Sequence, residues 1–176
     1  MDLDRELALT ALTLLDEKLS AAGEAAVTLA AGGGGAIVLE YGYDGKTEDI
    51  DAVPLKTSFE DLRPYMHEVA KELKIPADWL NPYYQAYTIY LPQDSTSRMR
   101  ETFKGKLLTV LSLGPEDLLI MKLMAGRAKD RGHIVHLFKQ DLNLSIVEAR
   151  LEELKEIYPK EASRALDLLD DYSERS

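Results

Sequence analysis

The chain has 176 residues and carries 21 basic against 31 acidic side chains, a net charge of −10. It is long enough to bury the core of one domain, and too acidic to coat nucleic acid or an anionic membrane with its whole surface, so a polyanion has to be met locally. The absence of cysteine excludes disulfides and thiolate metal sites, and acids at the start, in MDLDRELAL, oppose a secretory leader.

The longest uncharged run, between Glu24 and Glu40, is rich in glycine and shorter than the ~18 residues of a spanning helix. No membrane segment and a cytoplasmic location are therefore expected. Residues 3–21 repeat Leu3, Leu7, Ala11, Leu14, Leu15 and Leu19 at helical spacing, and Gly23 is placed to stop that helix. AAVTLAAG (25–32) reads as a buried strand, GAIVLEYG (35–42) as a helix leaving the glycines, and EDIDAVPL (48–55) as a second strand ended by Pro54. Ser58-x-x-Asp61 opens a helix to about Lys74 whose regular part Pro64 is expected to delay.

AYTIYLP (86–92) and KLLTVLSL (106–113) are predicted strands separated by a polar loop, QDSTSRMRETFKGK (93–106). After Pro115, helices are expected at about 115–126, 130–140, 145–157 and 160–172. The predicted fold class is α+β: a short mixed sheet flanked by helices, with a C-terminal helical extension. We divide the chain into a domain over 1–140, on which the helix 3–21 packs, and an extension of it over 141–176. Residues 95–139 hold nine Lys/Arg against four acids, a basic segment suited to one anionic ligand.

Two short stretches carry chemistry. The glycines Gly32, Gly33, Gly34 and Gly35 occupy a strand-to-helix turn, where unpaired N–H groups and missing Cβ atoms let a phosphate approach. A tight packing turn or a flexible loop explains them equally well, and neither a Walker A loop nor a dinucleotide fingerprint is present. Asp49 and Asp51 share one face of a strand, about 7 Å apart, and can converge on a hard cation such as Mg²⁺; a solvated turn with Glu48 is the alternative. Lys122 is the single polar residue of LLIMKLMA, so its stem must pack while its head reaches water or an anion. Asp130, between Lys129 and Arg131, reads as a helix cap or a surface ion pair.

Gly33-Gly34-x-Ala36 followed by Thr47-x-Asp49-x-Asp51 resembles the glycine motif and D-x-D of the DNA polymerase β-like nucleotidyltransferase superfamily. Within it the chain is most similar to the AbiEii-like toxin group and its minimal bacterial relatives, which IPADWLN (75–81) and LGPEDLLIMKLMAGRAKDRGHI (113–134) also resemble. The resemblance covers about residues 25–140. It implies nucleotidyl transfer from a nucleoside triphosphate, with Mg²⁺ held by Asp49 and Asp51. Gly33, Gly34, Gly35, Thr47, Lys122 and Arg127 would bind the nucleotide, and Asp130 would complete the catalytic set.

RNA, and the end of tRNA in particular, is the implied acceptor, with an antitoxin protein as a further partner. Two features depart from the family pattern: the segment LLTVLSL (107–113) holds no third carboxylate, and His133 stands where a further acid is common. A small hydroxyl compound as acceptor, or a non-catalytic nucleotide- or partner-binding module, remain the alternative readings.

Overall fold

The computed structural model describes residues 2–175. The chain forms two compact units, Met1–Gln85 with Met99–Ser112, and Ala86–Arg98 with Leu113–Ser176. The division between 140 and 141 drawn from sequence falls inside the second unit.

In the first unit, helix α1 (Arg5–Ala22) starts where the Asp4 carboxylate accepts the Leu7 N–H, and it stops at Gly23, whose φ of 71° supplies the left-handed turn. Its apolar stripe buries Ala8, Ala11, Leu12, Leu15 and Leu19. Asp16 lies on the same buried face and accepts the backbone N–H groups of Lys106, Leu107 and Leu108 at 2.8, 2.7 and 2.7 Å. Burial raises the pKa of this carboxyl, but the three donors outweigh it and hold the group below its ordinary value. The carboxylate thereby pins α1 to the start of a central strand.

Strand β1 (Val27–Ala31), helix α2 (Gly33–Glu40), strand β2 (Ile50–Pro54) and helix α3 (Phe59–Leu73) follow. The Ser58 hydroxyl caps α3 by accepting the Glu60 N–H, and the helix is regular from Phe59 through Pro64, correcting the expected delay. Strands β3 (Leu80–Asn81), β4 (Arg100–Lys104) and β5 (Leu108–Ser112) complete a five-stranded sheet of order β3-β2-β1-β5-β4. It is mixed: β1 runs antiparallel to β2 and parallel to β5, β2 parallel to β3, and β4 antiparallel to β5. Leu29, Ile37, Ile50, Trp79 and Leu108 are fully buried, and the Trp79 indole N–H donates to the Met66 carbonyl at 3.1 Å.

Two predicted elements are corrected. The segment 86–92 is not a strand; it belongs to a 3₁₀ helix over Tyr83–Tyr90, closed by i to i+3 bonds such as Gln85 N–H to the Pro82 carbonyl. Its aromatic and β-branched residues favour strands only where a sheet surface receives them. The supposed loop 93–106 instead contains a 3₁₀ turn, Ser95–Arg98, and strand β4. That strand is polar because it is an edge, and charged side chains are how edges resist further pairing.

The second unit is helical: α4 (Pro115–Ala125), a 3₁₀ turn (Ala128–Asp130), α5 (Arg131–Leu137), α6 (Leu144–Lys155) and α7 (Pro159–Ser173). Helix α4 packs against α5, α6 and α7 and buries every residue from Pro115 to Met124, the charged Glu116, Asp117 and Lys122 included. Arg98 fastens the 86–98 segment to the first turn of α4 through two bonds to Asp117, at 2.8 and 3.1 Å, and so is an internal anchor. Arg150 on α6 holds the same segment by donating to the carbonyls of Ile89, Tyr90 and Leu91. Among the described residues, no helix is long and apolar enough to cross a membrane.

Candidate active site

The glycine turn joins β1 to α2. Gly32 is the N-cap and supplies no side-chain cap, so the first-turn N–H groups are not met by a capping side chain. Gly33 has φ 63°, and a Cβ there would collide with the Asp51 carboxylate. A Cβ on Gly35 would come within 2.9 Å of the Ile50 Cα and 3.0 Å of the Asp49 carbonyl oxygen. The Gly32 N–H also donates to the Asp51 carbonyl at 2.9 Å. These glycines therefore allow the N-terminus of α2 to press directly against Asp51 and against the Asp49–Ile50 backbone that leads into β2. A loose loop would need none of that proximity.

On β2, Ile50 and Ala52 point into the core while Asp51 is half-buried on the other side. Asp49, two residues before Asp51, has the same parity. The Thr47 hydroxyl donates to the Asp49 carbonyl at 2.9 Å, and Thr47 is itself tied to Leu3 by a two-bond bridge. Thr47 is buried and braces the entry to the carboxylate strand. Glu48 is exposed.

The strand beside this dyad is β3, and its register sets Asn81 opposite Asp51. The Asn81 side-chain amide donates to Asp49 Oδ2 at 2.8 Å. Strand β5, where a third carboxylate would be sought from sequence, pairs with β1 and β4. The sequence signal for Asn81 was a lone polar residue directly after the buried Trp79-Leu80 pair. Tyr84 closes the other side of the turn: its ring lies where a Cβ on Gly32 would go, and its hydroxyl donates to the Ala30 carbonyl at 2.8 Å. Burial, and then the negative charge of Asp51, push the phenol pKa above its ordinary value. Tyr84 is therefore a packing residue.

Asp51 on β2 and Asp49 just before it offer an all-oxygen donor set. It suits Mg²⁺, which keeps water and takes further oxygens from substrate phosphates. Among the described residues no group of three His, Cys, Asp or Glu side chains forms a metal cage.

The second unit gathers Lys122, Arg127 and Asp130. Lys122 is 4% exposed, and its Nζ lies 2.6 Å from Asp130 Oδ1. Arg127 donates through Nε to Asp130 Oδ2 at 2.6 Å and through Nη2 to Oδ1 at 3.3 Å. His133 Nδ1 stands 3.8 Å from Oδ1. Burial acts to raise the Asp130 pKa, but His133, Arg127 and Lys122 outweigh it and hold the carboxyl well below the usual range.

Asp130 occupies the N-cap position of α5, yet its side chain makes no capping bond; it is the anion of an ion cluster. Arg127 is the exposed member: its side chain is 42% accessible, and its guanidinium carbon lies 5.7 Å from the Tyr87 ring centroid. Lys129 and Arg131 beside it are exposed. The residues singled out from sequence thus fall into two groups: Gly33, Gly34, Gly35, Thr47, Asp49 and Asp51 in the first unit, and Lys122, Arg127 and Asp130 in the second.

No curated protein and no solved structure matches the chain. Residues 10–175 match the family described as nucleotidyltransferase of unknown function (DUF6036). The match spans nearly the whole chain and both residue groups, and this protein belongs to that nucleotidyltransferase family.

Proposed function

We propose that the protein is a Mg²⁺-dependent nucleotidyltransferase that moves a nucleoside monophosphate from a nucleoside triphosphate to an acceptor, with Asp49 and Asp51 as its cation ligands. The observation that carries this reading is the packing of the α2 N-terminus, at Gly33, against the Asp51 carboxylate. An anion-binding helix end and a cation-binding pair are thereby adjacent, which is what a metal-bridged phosphate needs.

The N–H groups of Gly33, Gly34 and Gly35 orient phosphate oxygens, and Thr47 holds the Asp49 backbone in place. Mg²⁺, when bound, neutralises charge that develops on the phosphates. The acceptor hydroxyl attacks the α-phosphorus and gives up its proton to water; a new P–O bond forms, the bond to the bridging oxygen breaks, and pyrophosphate leaves with the electron pair. Arg127 contributes positive charge to phosphate, and Asp130 fixes Arg127 and Lys122 in their geometry.

The acceptor in this reading is RNA, with the end of tRNA the first candidate. Exposed Arg127, Lys129 and Arg131 support a polyanion. An AbiEii-like toxin role in the cytoplasm, held in check by an antitoxin protein, is the biological setting that follows. A second reading, a nucleotide-binding module without catalysis, is favoured by the amide of Asn81 standing beside the dyad.

The test is incubation with Mg²⁺, each α-labelled nucleoside triphosphate and total bacterial RNA, beside an Asp49→Ala/Asp51→Ala variant. Label entering RNA only with the wild type supports transfer and identifies the base. No transfer with triphosphate still bound favours the module, and equal labelling by both proteins overturns the role of the dyad.

A further inference from the structure

Asn81 is 3% exposed, and both ends of its amide are engaged. The nitrogen donates to Asp49 Oδ2 at 2.8 Å and to the Asp78 carbonyl at 3.2 Å, while the oxygen accepts the Tyr83 N–H at 2.9 Å. Its orientation is therefore determined, since reversing the amide would face oxygen to two acceptors and nitrogen to a donor. The register β2–β3 opposes Asn81 to Asp51, so one uncharged side chain lies across from one aspartate and bonds the other. The flanking residues make this placement rigid: Trp79 and Leu80 are fully buried, and the Ile50 N–H bonds the Trp79 carbonyl at 2.7 Å.

We infer that Asn81 is a positioning residue for the cation site, holding the Asp49 carboxylate in one orientation while limiting the site to two negative charges. This rests on the reading of Asp49 and Asp51 as cation ligands. An asparagine donates where a third carboxylate would repel, so the Asp49 carboxylate is oriented without metal. The cost is cation affinity, because affinity for hard divalent ions rises with the number of charged oxygens. A site of this kind takes one weakly held cation that substrate phosphates help to retain. Partners that orient a metal ligand typically govern metal affinity by about 10- to 100-fold.

The inference separates from a purely structural role because two substitutions move affinity in opposite directions. Asn81→Ala removes the donor and should weaken Mn²⁺ binding about tenfold or more. Asn81→Asp keeps an oxygen for the Tyr83 N–H and adds a third carboxylate, so it should tighten Mn²⁺ binding by about tenfold. It should also lower the melting temperature without metal and recover it with Mn²⁺.

Mn²⁺ affinity would be read by electron paramagnetic resonance on the full chain, with circular dichroism checking the fold. Opposite shifts support the inference. It is overturned if Asn81→Ala binds as the wild type does, or if folded Asn81→Asp binds no tighter. An Asp49→Ala/Asp51→Ala variant that binds Mn²⁺ as the wild type does would instead overturn the dyad reading itself.

Discussion

The two charged groups of this molecule are built on opposite principles. In the second unit Asp130 is buried, and three cationic or ionisable partners surround it, two of them at 2.6 Å. Removing Asp130 would strand the buried Lys122 ammonium, so the cluster has a structural role. In the first unit Asp49 and Asp51, two residues apart along the chain and both half-buried, bring like charges together, and these repel. The α2 N-terminus and the Asn81 amide offset part of that repulsion. A fold does not need this juxtaposition, and a cation site does.

Substitution sharpens the contrast, beginning with the largest effect. Replacing both Asp49 and Asp51 with Ala should abolish nucleotidyl transfer while leaving the melting temperature unchanged or raised, because repulsion is relieved. A large loss of stability in a melting experiment would make the dyad structural and collapse the comparison. Asp130→Ala should do the reverse in kind, costing about 3–5 kcal/mol of stability by stranding Lys122, measured by urea unfolding.

The pH dependence of that loss has a definite sign. The folded Asp130 pKa is depressed, so its stabilisation is complete above the ordinary carboxylate range and declines as pH falls below about 5. The stability gap between wild type and Asp130→Ala should therefore be flat from neutral pH down to that point and narrow in more acid solution. A gap that widens on acidification would contradict the ion cluster.

Gly33→Ala should cost about 1–2 kcal/mol through the left-handed backbone alone. Because its Cβ would displace the Asp51 carboxylate, Mg²⁺-dependent triphosphate binding should fall as well, which binding measured beside melting would reveal. Arg127→Ala should be the mildest for the fold, under about 1 kcal/mol for a half-exposed partner. Its cost should appear in triphosphate affinity. If RNA is the acceptor, binding should also weaken steeply with added salt.

The contrast also marks what was legible in sequence. The glycines and the Asp49–Asp51 pair lie close along the chain and stand out there, although β2 begins at Ile50, so only Asp51 of the pair lies on the strand. Asn81 was not legible as their partner, because β3 is two residues long and its pairing to β2 is a long-range event without local pattern. Strand β4 was hidden because an edge strand is polar, as a loop is, and the tyrosines of 83–90 favour strands by type yet coil into a 3₁₀ helix after Pro82. For Asp130 the local cues of a helix cap were present, but the cations that claim its side chain decide its role. The spacing from Lys122 to Asp130 alone does not show that they meet.

The central claim is that the dyad holds a cation that binds triphosphate, and equilibrium dialysis of a labelled nucleoside triphosphate tests it most directly. Wild type and Asp49→Ala/Asp51→Ala would each be measured with Mg²⁺ and with EDTA. The account predicts binding by the wild type with Mg²⁺, lost on chelation and lost in the double variant. Wild-type binding that survives EDTA undiminished, or a double variant that binds as well as the wild type with Mg²⁺, would contradict it.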